Sequence, residues 1–254
     1  MIREYLNSLE KCYGYTGNWQ PNCPVQVGNW TDVEIGFLPW LKSFLGIRYE
    51  NLEINQNIHS IMTETLSDVE SKKEKRASLT LSHNVSLNMS GDCSAVNIKA
   101  KKKGGFFAVF QDVQEVTADA RSFRNGLERL NKPSVAVVSS VTYAKKGILV
   151  VFNQEEAALT LSGEAYSLAG LTDAPSSLKL DFHVSCGCEG TAIFQAEPSK
   201  PLVPFLKIYI AEKDKKNGFS GRTSRPGRNY DITPFSYQDF FHMHEALSGQ
   251  EGDR

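Results

Sequence analysis

Residues 78–90 read SLTLSHNVSLNMS. The odd positions are Leu79, Leu81, His83, Val85, Leu87 and Met89, and the even positions from Ser78 to Ser90 are all Ser, Thr or Asn. Successive side chains leave an extended strand on opposite faces, so alternation of this length predicts a long β-strand with one apolar and one neutral polar face. Two settings suit such a strand. One is an antiparallel sheet with a solvated face. The other is a barrel strand between lipid and water, which takes about 9–11 alternating residues. His83, on the otherwise apolar side, fits lipid poorly.

Working outward, Gly91-Asp92 is a turn signal. The chain then returns as SAVNIKAKKK, residues 94–103, with Val96, Ile98 and Ala100 alternating against Asn97 and Lys99. Residues 77–103 therefore read as one long β-hairpin with two basic open ends. Lys72, Lys73, Lys75 and Arg76 lead into it, and Lys99, Lys101, Lys102 and Lys103 make up its other open end. Each basic residue near an anionic bilayer contributes about 1 kcal/mol. Eight together would supply several, although a solvated lysine cluster is the plainer account.

Flanking segments extend the β character. Residues 106–116 predict a buried strand, followed by a helix over 119–130 capped by Asp119 and ended by Pro133. A second hairpin is expected over 134–143 and 147–152, turning at Lys145-Lys146-Gly147. Residues 157–161 and 178–184 form another amphipathic pair, and 191–195 and 206–210 are further short strands. At the N-terminal end, residues 2–13 have helical spacing, 14–28 read as loop, 33–47 as apolar core or as a membrane-seeking loop with Trp40 and Phe44 at its tip, and 50–65 as containing one strand. From Lys213 the run KDKKNGFSGRTSRPGRN is rich in basic residues, Gly and Pro, and reads as an exposed, protease-sensitive linker. The aromatics after it, Phe235, Tyr237, Phe240 and Phe241, are expected to dock on the body rather than face water.

Composition narrows the functional classes. A chain of 254 residues with net charge −1 predicts one domain plus a tail, with no global field drawing it to nucleic acid. No run of about 18 apolar residues occurs, and the first residues, MIREYLNSLEKCYGY, contain no signal-peptide core, so a cytoplasmic protein is expected. Five cysteines, at 12, 23, 93, 186 and 188, are odd in number and irregularly spaced, as reduced thiols are. Cys186-Gly-Cys188 lacks a second pair at zinc spacing, and His242 and His244 read as a solvated tail pair. No nucleophile elbow, phosphate loop or metalloprotease motif is present. No catalytic residue, metal or cofactor is therefore expected.

The order of these elements resembles a gasdermin pore-forming domain. The resemblance rests on the basic amphipathic region 77–103, then GFFAVFQDVQEV (105–116) running into ARSFRNGLERL (120–130), then SVAVVSSVTYAKKGILVVF (134–152) and a second amphipathic pair. The closing FHVSCGCEGTAIFQAEPSKPLVPFLKIY (182–209) is similar to the end of that domain in small bacterial and fungal members, and VQVGNWTDVEIGFLPWLKSFL (25–45) is similar in placement. The likeness covers about residues 25–212.

That resemblance implies an α+β fold, a twisted, mostly antiparallel sheet with flanking helices. Residues 1–212 would be the pore-forming domain, 213–228 the linker and 229–254 a short inhibitory segment. A protease cutting near Arg222, Arg225 or Arg228 would release the segment. The freed domain would leave the cytoplasm, where it is an inhibited monomer, bind anionic lipid and form a homo-oligomeric β-barrel pore that kills the cell in defence. Leu79, Leu81, Val85, Leu87, Met89, Val96 and Ile98 would face lipid in the first inserting region. In the second, Leu159, Leu161, Leu178, Leu180, Phe182 and Val184 would do so. The rival expectation is a soluble, non-enzymatic α+β module that binds a ligand or protein and has no membrane activity.

Overall fold

Two strong signals, period-2 alternation and one amphipathic helical stretch, become a mostly antiparallel α+β architecture in the computed structural model. It describes residues 2–18, 21–32, 64–89, 95–162, 183–186, 191–197, 199–213 and 230–236. In chain order the elements are α1 (Ile2–Tyr13), β1 (Thr16–Gly17), β2 (Asn29–Asp32), β3 (Glu64–Thr65), β4 (Ser71–His83), β5 (Val85–Met89), β6 (Ala95–Ala100), β7 (Phe106–Ala118), α2 (Ala120–Leu130), β8 (Ser134–Phe152), β9 (Ala158–Ser162), β10 (His183–Cys186), β11 (Thr191–Gln195), β12 (Leu202–Lys213) and β13 (Tyr230–Pro234). The segments 33–47 and most of 50–65, read above as core and strand, lie outside the described residues.

The chain divides into two compact units. The first comprises 1–22, 74–115 and 142–205, and the second 23–73, 116–141 and 206–254. In the first unit, α1 buries Tyr5, Leu6 and Leu9 completely. The spacing i, i+1, i+4 puts these three on one helical face. That face sits so closely on β1 that a Cβ at Gly17 would lie 2.6 Å from a Leu6 methyl. Tyr5 meets Phe106 edge-on, with ring centroids 5.1 Å apart, a favoured aromatic geometry.

The second unit is built on α2. The Asp119 carboxylate accepts from the N–H groups of Arg121 and Ser122, both at 3.0 Å, which satisfies two donors that the helix start leaves free. Phe123 and Leu127 bury against Trp30, Leu66, Val135, Val137 and Ala211. The helix ends before Pro133. Asn131 takes a left-handed conformation at φ 53° and its N–H bonds back to Leu127 O, the capping geometry that Gly or Asn supplies.

Strand β8 corrects the expectation of a turn at 145–147. It runs unbroken for 19 residues, buried at nearly every position. Gly147 accommodates it by adopting φ 136°. A Cβ there would fall 2.2 Å from Val109 O and 2.8 Å from Phe110 Cα. The glycine therefore marks a close backbone approach rather than a hairpin tip. Strand β12 is also longer than expected. It begins at Leu202, and Pro204 inside it accepts the Asn18 N–H at 2.8 Å.

Gly147→Ala is expected to lower stability by about 2 kcal/mol, because the added methyl meets backbone that cannot swing aside. The urea midpoint should fall with little change in slope. A second expectation concerns pH. The hydrogen bond from the Ser122 N–H, helped by that of Arg121, holds the Asp119 carboxyl below its ordinary range. A depressed folded-state pKa contributes stability that is present above the unfolded carboxylate's range and fades as pH falls through the folded value. The gap in melting temperature between wild type and Asp119→Ala should therefore narrow from neutral to acid pH.

Candidate functional site

The alternating stretch is two strands, not one. β4 stops at His83, Asn84 turns left-handed at φ 52°, and β5 begins at Val85. Asn tolerates this conformation where a branched residue would not. The turn is held by the Lys101 N–H, which donates to Asn84 O at 2.8 Å. Gly105 must lack a side chain there, since its Cβ would sit 2.6 Å from the same oxygen. β4 pairs with β7, whereas β5 pairs with β6. The single 77–103 hairpin is thereby corrected to a shorter one, β5–β6.

That hairpin continues into a four-stranded sheet of order β10-β9-β6-β5. β6 pairs antiparallel with β9, so the two amphipathic regions of the sequence are joined directly. Their register aligns the apolar positions. Leu87 lies opposite Ile98, and Ile98 opposite Leu159. Met89 lies opposite Val96, Val96 opposite Leu161, and Leu161 opposite Val184. The alternate positions are polar and largely uncharged: Ser86 opposite Lys99, and Asn88 opposite Asn97 opposite Thr160. Asn97 donates to the Thr160 hydroxyl at 3.2 Å, and Lys99 pairs with Glu156.

The central members of the apolar rows are covered within the same unit. Val96, Ile98, Leu159 and Leu161 are at most 2% exposed and form one core with Phe107, Val109, Ile148, Val150 and Phe152. Burying a side chain of this size is worth about 1.5–3 kcal/mol, so these four alone contribute about 6–12 kcal/mol. That matches the whole net stability of an ordinary domain, about 5–15 kcal/mol. Such a face can leave its core only for another apolar environment.

The other predicted residues are distributed differently. Leu81 is 4% exposed and Leu79 half-buried, both on β4 and so outside the four-stranded sheet. Val85 packs at the edge of the core, and Leu87 is 42% exposed. The two basic ends do not meet at one hairpin base, which corrects that expectation. Lys101 is bonded to Asn84, whereas Lys75 lies nine residues back along β4, about 30 Å at strand rise. Lys75 and Arg76 instead border a cleft of about 300 Å³ with Asp112 and Lys145. Arg76 reaches Glu115 at 3.8 Å and the Tyr15 hydroxyl at 3.4 Å, and Lys103 reaches Glu4 at 3.6 Å. Lys72 and Lys73 are exposed on the first residues of β4, as are Lys101 and Lys102 on the turn after β6.

Of the C-terminal segment, β13 adds an antiparallel strand to β12, pairing Tyr230–Pro234 with residues 209–213. The Tyr230 hydroxyl donates to Lys132 O at 2.7 Å, and Phe235 is 7% exposed with its N–H on Ile208 O. Leu178, Leu180, Phe182, Arg222, Arg225, Arg228, Tyr237, Phe240, Phe241, Cys93, Cys188, His242 and His244 lie outside the described residues. Among the described residues no group of three His, Cys, Asp or Glu could hold a metal, and no helix is long and apolar enough to cross a membrane. Sequence reading missed the Asn84 break and the β6–β9 pairing. It also missed a contact of Cys12 with His83.

No protein-family model matches the chain, and no curated protein matches it. Among solved structures it is similar to one described as the cryo-EM structure of the gasdermin A3 membrane pore, at 13% identity and a TM-score of 0.17. The match covers 67% of this chain and 66% of that one, just under two thirds of the pore subunit. At that score the reading of function rests on the site's own geometry.

Leu159→Ala should cost about 2–5 kcal/mol of stability, because its side chain is wholly enclosed. Leu87→Asp, at an exposed position, should shift it by no more than about 0.5 kcal/mol. Urea unfolding followed by circular dichroism separates the two.

Proposed function

We propose that this chain is an autoinhibited, non-enzymatic pore former that assembles as a membrane β-barrel. The observation that carries the reading is the register of the four-stranded sheet, which lines up apolar positions from β5 to β10 and leaves polar, largely uncharged ones between them. A barrel wall needs that division, with every backbone group paired between strands and one face for lipid. In this reading the rows of Val96, Ile98, Leu159 and Leu161 exchange their core for lipid. Lys72, Lys73, Lys75, Arg76, Lys99, Lys101, Lys102 and Lys103 draw the protein to anionic headgroups. Residues 213–228 are the site of activating proteolysis, with Arg222, Arg225 and Arg228 as candidate points, and 229–254 the inhibitory segment. The monomer is cytoplasmic until cut, the oligomer is in the cell membrane, and the outcome is cell death in defence. The full burial of Val96, Ile98, Leu159 and Leu161 in their own core favours a second reading, a soluble binding module in which the sheet never leaves.

The test uses the full chain with a site-specific protease sequence introduced between Lys216 and Ser220. Cutting it beside anionic liposomes should release trapped dye, with less release at high salt and from neutral vesicles. Leu87→Asp, which leaves the fold intact, should reduce release several-fold because a lipid-facing carboxylate is costly. If cut, folded protein neither binds nor leaks anionic vesicles, the pore reading fails and the soluble module stands.

A further inference from the structure

The last turn of α1 brings a nucleophile and a base together across 71 residues of sequence. Cys12 Sγ lies 3.6 Å from His83 Nδ1, and Cys12 is exposed to solvent. Both partners are fixed by their neighbours. Tyr13, the next residue, donates its hydroxyl to Ser82 O at 2.7 Å and accepts the Ser82 N–H at 3.2 Å. These two bonds clamp the helix end to the strand end that carries His83. The imidazole is further seated beside Phe106, with ring centroids 6.1 Å apart. Phe106 itself is fully buried and also receives the ring of Tyr13.

A thiol held in reach of an imidazole nitrogen, with open solvent beside it, is the arrangement of an activated sulfur nucleophile. Sulfur is soft and polarizable, and its natural partners are soft carbon electrophiles. We propose that Cys12 and His83 form a thiol modification site for α,β-unsaturated carbonyl compounds. His83 Nδ1 takes the Sγ proton as the sulfur electron pair bonds to the β-carbon. The C=C pair moves to the α-carbon as an enolate, and the imidazolium returns the proton there. The net change is addition of S–H across the double bond, with nothing oxidised or reduced and no co-reactant. The site stands independently of the pore-forming reading.

Brief labelling of the native full chain with limiting N-ethylmaleimide, followed by peptide mass spectrometry, tests it. The rate at Cys12 in wild type should exceed that in His83→Gln by about tenfold, below the range of built active sites. The half-buried Cys23 should label equally in both, and the Cys12 difference should vanish in urea. Equal native rates at Cys12 would overturn the proposal. Should His83→Gln fail to fold, the wild-type protein decides alone. Faster labelling of Cys12 when native than when unfolded supports activation, and equal or slower labelling refutes it.

Discussion

The ladder between β6 and β9 is the contact on which the rest of the first unit depends. It joins residues 95–99 to 158–162 through five register pairs, closing a long loop whose entropy cost grows only slowly with length. Without it there would be two separate hairpins, each with an apolar face too narrow to hold a core. With it, Ile98 meets Leu159 and Val96 meets Leu161, so the apolar rows extend across the whole sheet. Cross-strand apolar neighbours of this kind are the elementary unit of sheet stability. A one-residue slip would put every apolar side chain on the wet face.

A face of that size also dictates what lies beneath it. Phe107 and Val109 come from β7, and Ile148, Val150 and Phe152 from β8. β8 therefore has to pass straight through Lys145-Lys146-Gly147 instead of turning there, and Gly147 supplies the backbone freedom the close approach to Val109 requires. The break at Asn84 has the same origin. Residues before it serve the sheet that contains β7, and residues after it serve the sheet that contains β6. One left-handed residue lets a single alternating sequence feed two sheets.

This explains which parts of the fold were legible in the sequence. Helix α2 was readable from Asp119 and the spacing of Phe123 and Leu127, because capping and amphipathicity are local. Strands β7 and β11 were readable from their apolar runs. The division at Asn84 was not, because an Asn among alternating Ser, Thr and Asn keeps the period while changing the dihedral angle. The supposed turn at 145–147 misled for the converse reason, since its composition is that of a turn, yet the strand runs straight through it with Lys145 and Lys146 exposed and Gly147 buried. The joining of the two amphipathic regions is a long-range pairing, and no local pattern encodes it. Their alternation was visible in the sequence, but the covering of that face by β7 and β8 was visible only in the fold.

The C-terminal strand gives the proposed inhibition a physical form. β13 is only five residues long, held by its ladder to β12, the Tyr230 hydroxyl on Lys132 O and the buried Phe235. While the chain is intact, its local concentration is set by the connection from Lys213 to Tyr230. For short links such concentrations are of the order of mM. Once that connection is cut, the same few contacts must offset the full loss of translational and rotational freedom on association, estimated at about 4–15 kcal/mol. A strand held by a modest set of contacts would then be well occupied when tethered and less so when free. In the proposed inhibition no contact would have to change strength for proteolysis to act; cutting the backbone would be enough to vacate the edge of β12 at 209–213.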